Sequence, residues 1–598
     1  MLIPWVVVTL AGYVETASSH QEHVPVEVET KLGKIKGRES IFLHKRVRSF
    51  LSVPFAEAPT GELRFRPPRL KKPWNSTLDA TTLSPACMQG RDNYNTTFWG
   101  SEMWNANTPM SEDCLFMNIW APADAYNLTV MVWIYGGGFH YGSPSLLLYD
   151  GKALALTGNV VVVNINYRVG PFGYLFMDDD DVPGNMGMLD QQMALYWIRD
   201  NIFSFGGNPS RITLFGESAG ASSIVAHMLA PGSQGLFNRG ILQSGSLDNR
   251  WSLESPKRAM EKALKLAELV GCNGTTNKET IRCLKSAPAQ KLVDNAWNVP
   301  LNFLEFPFVI VSRDKNFFKH KDAFTALRKG DFNYNIPLMF GINHDEGWSF
   351  KTFSRNFWNI YNLANFFDKS TQPKLSRDDM HQCVDTAFAQ QPLLVRNAAK
   401  FVYSDPNCTN PEEETVFYAE QVNQMVGDYF FTCDSTWLAD YLGTFETRSA
   451  RSYIYYFDQP SSANPWPKWT GVMHGYEIEF VFGVPLYNDT AGYKEREKAL
   501  STKMIQYWAS FAHTGVPKLK DAKSTDNWPD YDGKERNMWM ILKGGSHIKP
   551  VPSRKHAECD LWRRAKDIEY RRYVEEITVS TAPGIASTTL LLLLAIFF

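Results

Sequence analysis

An apolar run leads into a glycine-rich turn at Ile212-Thr213-Leu214-Phe215-Gly216-Glu217-Ser218-Ala219-Gly220. The turn has the G-x-S-x-G pattern of a nucleophile elbow, in which a strand passes sharply into a helix and small residues give the backbone room. The pattern predicts Ser218 at the tip of the turn, beside the free N–H groups that begin the helix. Glycine and serine are common residues, so the motif needs support from the rest of the chain.

The segments on either side of this turn predict the fold class. Met131–Tyr135 and Val160–Ile165 are continuous apolar runs, as expected of strands buried on both faces of a mainly parallel sheet. They alternate with segments of helical spacing such as Met186–Asn201, and this order is typical of an α/β protein. The helix-rich, aromatic stretches 260–330 and 350–450 favour insertions that cap one end of the sheet. We therefore expect one large domain.

The charge balance excludes one class of partner. The 598 residues include 61 Lys plus Arg and 63 Asp plus Glu, for a formal net charge of -2. Without a basic excess the chain lacks the electrostatic footprint of a nucleic-acid-binding protein. A cationic partner would have to be attracted by a local cluster of carboxylates, because the net charge is too small to attract it.

Both ends of the sequence have features of targeting segments. Residues 1–19 contain an apolar stretch followed by small residues, which we interpret as a signal peptide; the lack of an early Lys or Arg leaves a buried N-terminal strand as the alternative. Residues 576–598 end in the apolar tail Leu590–Phe598, preceded by small residues and a polar spacer, as in a glycosylphosphatidylinositol (GPI) attachment signal. The tail is shorter than a membrane span of about 20 residues, and a plain hydrophobic anchor is the alternative.

Cysteines and glycosylation sequons agree with export. The eight cysteines of a chain with an export signal suggest disulfides, and Cys272 and Cys283 are close enough in sequence to close a small loop. Six N-x-[ST] sequons begin at Asn75, Asn95, Asn127, Asn273, Asn407 and Asn488. We expect an extracellular protein held at a membrane surface.

A serine nucleophile needs an imidazole to take its proton and a carboxylate to orient that imidazole. In this fold the chain order is serine, acid, histidine. Glu346 lies on a loop just past the apolar run Ile336–Phe340, and His474 lies on a glycine-flanked loop, so both are candidates. The glycines of Gly136-Gly137-Gly138 follow a buried strand, where the backbone can present N–H groups to an oxyanion. Such a site needs no metal or cofactor.

Taken together these stretches resemble the cholinesterases, within the type-B carboxylesterase group of the α/β-hydrolase fold. The resemblance covers about Val28 to Cys559, and it is carried by Ser111–Asn118, Gly136–Gly138, Phe215–Gly220, Asn343–Gly347 and Gly471–Gly483. It implies a large central, mostly parallel sheet flanked by helices, with helical insertions that form a gorge. The catalytic domain is expected to span residues 20–575.

The resemblance also implies the roles of individual residues. Ser218 is the nucleophile, Glu346 the orienting acid and His474 the general base. The oxyanion donors are Gly137, Gly138 and Ala219. The family's disulfides correspond to Cys87–Cys114, Cys272–Cys283 and Cys433–Cys559. Two cysteines outside the family's common set remain, and we pair them as a working assumption: Cys383 and Cys408.

The stretch Gly100–Asn105 carries the match to a choline site. The resemblance implies that Trp104 faces the quaternary ammonium of choline, a cation that an indole face attracts by about 2 kcal/mol or more when desolvated. Glu217 would add a fixed negative charge near that cation. Glu477 and Ser244 match the buried polar network behind the site.

Other matched positions refine the substrate. Aromatic residues that narrow the acyl pocket favour acetyl over longer groups. The matching residues are Trp251 and Phe306, with Phe308 as the alternative to Phe306 because the register of that loop is open.

The gorge and its rim are matched as well. The gorge wall is matched by Phe350 and Trp466, and a rim site that first captures the cation is matched by Asp92 and Trp297. The chain departs from vertebrate acetylcholinesterases at Gly90, His140 and Ser349, which should weaken rim and mid-gorge binding.

The expected function is hydrolysis of acetylcholine through an acyl-enzyme, ending cholinergic signalling at a synapse or other cell surface. A broader choline ester hydrolase or a general carboxylesterase is the first alternative. A cell-adhesion protein on the same fold is the second, and the presence of all three triad residues argues against it as the sole function. The resemblance leaves a non-covalent homodimer open.

Overall fold

A thirteen-stranded mixed sheet forms the centre of the computed structural model. The structure describes residues 23–93, 96–303, 305–347, 372–404, 411–520, 528–533, 538–545, 548–552 and 555–581. Outside these residues lie the expected signal peptide 1–19, the tail beyond 581, Asn95, Ser349, Phe350, Asn407 and Cys408.

The described strands, in chain order, are β1 (Val24–Thr30), β2 (Gly33–Phe42), β3 (Lys45–Pro54), β4 (Leu78–Asp79), β5 (Ala86–Cys87), β6 (Met110–Ser111), β7 (Phe116–Pro122), β8 (Leu128–Ile134), β9 (Val161–Ile165), β10 (Phe176–Asp179), β11 (Val182–Pro183), β12 (Gly207–Glu217), β13 (Arg239–Gln243), β14 (Leu253–Glu254), β15 (Ile310–Val311), β16 (Leu338–Asn343), β17 (Ser452–Phe457), β18 (Met538–Leu542) and β19 (Lys549–Pro552). The main sheet has the order β1-β2-β3-β7-β9-β8-β12-β13-β16-β17-β18-β19, and β4 pairs with β2. The strands from β9 to β18 in this order are parallel, and both flanks are antiparallel.

The described helices are α1 (Trp99–Glu102), α2 (Lys152–Gly158), α3 (Gly170–Tyr174), α4 (Met186–Asn201), α5 (Ala219–Leu229), α6 (Pro256–Leu269), α7 (Asn277–Ser286), α8 (Ala289–Asn295), α9 (Ala323–Lys329), α10 (Arg377–Ala387), α11 (Leu393–Val402), α12 (Pro411–Gly427), α13 (Cys433–Gly443), α14 (Ile478–Val481), α15 (Glu495–Thr514) and α16 (His556–Thr581). No helix in the described part of the chain is long and apolar enough to cross a membrane.

The central strands are buried on both faces, which explains their continuous apolar sequence. Every residue of β9 is buried, as are the last six of β8. Helices α2, α4, α5 and α15 pack on these strands. Side chains on both faces of the strands are therefore shielded from solvent, and apolar residues follow one another without alternation. The α/β prediction is confirmed, and the sheet places the end of β12 near its middle.

Two groups of helices interrupt the sheet, as the sequence predicted. Helices α6 to α9 lie between β14 and β16, and α10 to α13 lie between β16 and β17. A π-helical stretch, Asp428–Thr432, joins α12 to α13. These insertions bring aromatic side chains to the end of β12.

In the part of the chain that the structure describes, three disulfides are present: Cys87–Cys114, Cys272–Cys283 and Cys433–Cys559. The pairing assumed for Cys383 is wrong, because Cys383 is a free thiol. It faces the apolar core from α10, where burial raises the pKa of the thiol and the side chain acts as a small hydrophobe. Of the described sequon residues, Asn488 is half-buried and the others are exposed: Asn75, Asn127 and Asn273.

Candidate active site

The turn at Ser218 has the geometry of a nucleophile elbow. Strand β12 ends at Glu217, α5 begins at Ala219, and Ser218 between them has φ 55° and ψ −119°. This strained backbone is held because the Ser218 N–H donates to the carbonyl oxygen of Gln243 at 2.8 Å on the neighbouring strand. Gly220 must be a glycine here, since an added Cβ would lie 1.9 Å from the carbonyl oxygen of Ile134.

Glu346 and His474, far apart in sequence, meet beside this turn. Glu346 follows β16; its Oε2 accepts a hydrogen bond from His474 Nδ1 at 2.7 Å, and its Oε1 accepts from Ser244 Oγ at 2.5 Å and from the Asn343 N–H at 2.7 Å. Asp345 joins the two loops, because its Oδ2 accepts from the Val472 N–H at 2.7 Å. The carboxylate of Glu346 therefore fixes the orientation of the imidazole.

The other imidazole nitrogen has an unexpected partner. His474 Nε2 lies 3.0 Å from Oε1 of Glu217, and the hydrogen bonds of the described residues include none between His474 and the Ser218 hydroxyl. Burial by itself lowers the pKa of His474, but the negative charges of Glu217 and Glu346 outweigh it and raise that pKa well above its ordinary value. His474 Nδ1 donates to Glu346, whereas Nε2 lies close to Glu217 Oε1 without hydrogen-bond geometry. The imidazole therefore lies between two carboxylates, one of which belongs to the residue before Ser218.

The glycine run packs directly on the elbow. An added Cβ at Gly136 would lie 2.6 Å from Oε2 of Glu217 and 3.0 Å from Cβ of Ser218. Gly137 and Gly138 follow with φ values of 107° and 60°. Together with Ala219, the first residue of α5, they bring side-chain-free backbone and a helix start next to Ser218. Stabilisation of an oxyanion requires backbone N–H groups in such a place.

Trp104 lies on the same side of the elbow as Glu217. An added Cβ at Gly475, next to His474, would lie 3.1 Å from Cη2 of Trp104 and 3.5 Å from Oε1 of Glu217. Trp104 is half-buried and meets Tyr476 edge to face, with ring centroids 6.2 Å apart. An indole and a carboxylate thus occur together close to the turn at Ser218.

Glu477 lies behind this pair and is fully buried. Its oxygens accept from Gln243 Nε2 at 2.9 Å and from Asn343 Nδ2 at 2.6 Å. Burial, and next the charge of Glu217, raise the pKa of Glu477 to about 7. The predicted polar network is therefore continuous, although Ser244 contacts Glu346 within it and not Glu477.

Three aromatic rings pack together next to the glycine run, and we call them the acyl wall: Trp251, Phe306 and Phe431. Ring centroids of Phe306 and Phe431 lie 6.3 Å and 5.8 Å from that of Trp251. Among the described rings Phe306 contacts Trp251, whereas Phe308 is buried in the core with 1% exposure, so Phe306 occupies the place left open in the sequence. An added Cβ at Gly138 would lie 2.4 Å from the Phe306 ring, which locates the wall next to the glycine run.

Phe431 was missed by the sequence analysis. Its ring centroid lies 4.2 Å from that of His474, and it belongs to the π-helical stretch before α13. Its one sequence signal is a run of aromatic residues, Tyr429-Phe430-Phe431, and nothing in that run indicates which ring points at His474.

The expected rim and gorge residues make the following contacts. Trp297 is half-buried; its ring centroid lies 4.6 Å from that of His140 and 5.9 Å from that of Phe306. The backbone of Asp92 is bound on both sides by the amide of Asn105, at 2.9 Å and 3.0 Å. Trp466 is buried against Phe98. Among the described residues, an added Cβ at Gly90 would meet Val293, at 4.0 Å.

The elbow, the glycine run and the large mixed sheet define an α/β-hydrolase, and the chain belongs to the carboxylesterase family, whose model matches residues 24–562. It is a carboxylic ester hydrolase. Among curated proteins it is 56% identical to "Acetylcholinesterase 4" of Caenorhabditis briggsae over 584 residues, which is 96% of this chain and 95% of the relative. It is 40% identical to acetylcholinesterase of Bungarus fasciatus (90% and 86% covered) and 38% identical to that of Electrophorus electricus (94% and 91% covered).

Proposed function

We propose that this chain is a serine esterase that hydrolyses acetylcholine to choline and acetate and so ends cholinergic signalling. The observation that carries the proposal is that Trp104 and Glu217 both lie next to the α-carbon of Gly475, close to the elbow of Ser218. An indole face and a carboxylate attract a quaternary ammonium, which cannot donate hydrogen bonds. The names of the relatives support the same substrate.

The proposed reaction begins with neutral His474. A deprotonated Nε2 has no hydrogen to offer Glu217, so the imidazole accepts the proton of the Ser218 hydroxyl instead, while Glu346 retains Nδ1–H. Ser218 Oγ attacks the acetyl carbonyl, and the N–H groups of the glycine run and Ala219 stabilise the oxyanion. His474 returns the proton as choline leaves. It then activates the water that releases acetate and regenerates the serine.

The acyl wall favours a short acyl group. Phe306 and Phe431 approach the oxyanion glycine and His474 respectively, so a chain longer than acetyl would meet aromatic rings on two sides. Steric exclusion of this kind discriminates homologous substrates by about 10- to 200-fold per methylene.

The decisive experiment compares three substrates: acetylcholine, butyrylcholine and the uncharged isostere 3,3-dimethylbutyl acetate. We expect the largest kcat/KM for acetylcholine. Equal kcat/KM for the uncharged ester would reject the choline site and leave a general carboxylesterase. Absence of hydrolysis of all three by folded protein would favour the adhesion alternative.

We also propose that the protein is secreted after removal of residues 1–19, glycosylated, and held at the cell surface by a GPI anchor added within 576–598. Three disulfides are typical of an oxidising compartment, and exposed sequon residues are accessible to glycosylation. Release of activity from intact cells by a phosphatidylinositol-specific phospholipase tests the anchor. Activity that stays on the cells contradicts it.

A non-covalent homodimer is proposed from one helix face. On α11 three large apolar residues are unusually exposed: Leu393 (61%), Leu394 (80%) and Phe401 (82%). Apolar side chains clustered on one exposed helix are typical of an interface. Sedimentation analysis of the wild type and of Phe401→Glu tests this, with a monomeric variant as the expected result.

A further inference from the structure

The segment that carries Phe306 is held by side chains of a neighbouring helix. Within the segment, Glu305 Oε2 accepts from the Asn302 N–H at 2.7 Å. Arg258 of α6 donates to the carbonyl oxygen of Pro300 at 2.8 Å and to Oε2 of Glu305 at 3.1 Å. The described part of this loop therefore depends on α6 for its position.

Lys262 lies one turn farther along α6 and is fully buried. Its Nζ donates to the carbonyl oxygen of Phe306 at 3.0 Å and lies 3.3 Å from Oε1 of Glu305. The same Nζ donates to Oε2 of Glu254 at 2.6 Å. Glu254 ends β14, three residues after Trp251, so one ammonium connects the two segments that carry facing rings of the acyl wall.

Burying the ammonium of Lys262 is energetically unfavourable compared with burying an apolar side chain of similar size. Removing a charge from water costs several kcal/mol, and an apolar side chain of similar size on the buried face of α6 would avoid that cost. Lys262 makes three specific contacts in return, two of them with the Phe306 segment. The ammonium of Lys262 therefore fixes the position of the Phe306 segment relative to Glu254. A methionine at position 262 could not make these contacts and would leave that position undetermined.

We propose that Lys262 is a positioning residue for acyl specificity, which ties the Trp251 segment to the Phe306 segment and so sets the width of the acyl wall. The inference rests on the proposed function, because it concerns the choice between acetyl and longer acyl groups. Lys262 does not touch the substrate; it acts through the backbone of Phe306.

The test is Lys262→Met in the full-length enzyme, assayed with acetylcholine and butyrylcholine on the same sample. We expect kcat for acetylcholine to fall by less than about 3-fold, while the ratio of kcat/KM for butyrylcholine over acetylcholine rises about 10-fold. The ratio is independent of how much enzyme is folded, so loss of stability alone leaves it unchanged. The matched control is Lys285→Met, which removes another mostly buried lysine, paired with Asp181 at 3.0 Å, and should leave the ratio unchanged.

Lys262→Met leaves Glu254 buried without its partner, so the double variant Lys262→Met/Glu254→Gln is measured in parallel. If neither accumulates, Glu305→Gln is used, with an expected rise of about 3-fold because Lys262 still holds the Phe306 carbonyl. A folded variant whose ratio equals that of the wild type overturns the proposal. A wild-type enzyme that does not prefer acetylcholine to butyrylcholine contradicts the proposed function instead.

Discussion

The elbow of Ser218 and the acyl wall lie on either end of the same glycine run, but they are held in different ways. The elbow follows β12, which pairs with β8 on one side and β13 on the other, so main-chain hydrogen bonds of the sheet position it. The acyl wall is held by rings and by the cations of α6. A main-chain scaffold tolerates exchange of side chains, whereas a side-chain scaffold changes with each one. We therefore expect the chemistry to depend on the elbow and the choice of substrate on the walls.

The largest effect is expected from Ser218→Ala. Loss of the nucleophile should lower kcat by about 10⁴-fold or more for every ester, because no other group in the site can form the acyl-enzyme. The measurement is kcat with acetylcholine and with the uncharged isostere, with circular dichroism as the check on folding. Activity within 10-fold of the wild type would contradict the assignment of the nucleophile.

Trp104→Ala should lower kcat/KM for the charged substrate and leave kcat/KM for the uncharged ester almost unchanged. Loss of the indole face removes about 2 kcal/mol of cation–π attraction, which corresponds to about 30-fold in kcat/KM for acetylcholine. The uncharged isostere serves as the internal control, and its kcat/KM should change by less than about 3-fold. Equal losses for both esters would mean that Trp104 supports the structure of the site and does not recognise the cation.

Phe431→Val should change the preference of the enzyme between short and long acyl groups. Replacing a ring that lies 4.2 Å from His474 by a smaller side chain opens space beside the acyl wall, so the butyrylcholine to acetylcholine ratio of kcat/KM should rise about 10-fold. The matched control is Phe430→Leu, a neighbour whose ring packs against Phe388 and Phe303. The interpretation of Phe431 as part of the wall is wrong if only the control changes the ratio.

Glu217→Gln should give the smallest change in rate and a diagnostic change with pH. Glu217 raises the pKa of His474, and a protonated His474 cannot act as the base, so activity falls as the pH drops through that pKa. Removing the charge lowers the pKa, and the acid limb of the kcat/KM profile should move to lower pH, with about 3-fold lower kcat/KM for acetylcholine above the limb. An acid limb that stays in place would mean that Glu217 does not control the base.

The fold and the centre of the site were predictable because their signals are local. Buried parallel strands have continuous apolar sequences. The elbow requires small residues at Gly216 and Gly220, because β8 approaches the turn closely there. The acid and the base proposed for Ser218 were predicted through a resemblance, since chain order alone could not select Glu346 and His474 among the acids and histidines. The pairing of Cys383 failed because burial of a thiol is not visible in cysteine spacing.

The sequence by itself determined the α/β class, the serine of the elbow and the glycine run, because each depends on neighbouring residues and their backbone conformation. Only the tertiary structure decided that Phe306 and not Phe308 faces Trp251, that Phe431 covers His474, and that Nε2 of His474 meets Glu217. These contacts join residues from separate segments that pack at the end of the sheet. Their geometry depends on how the inserted helices fit together, which no short stretch of sequence encodes.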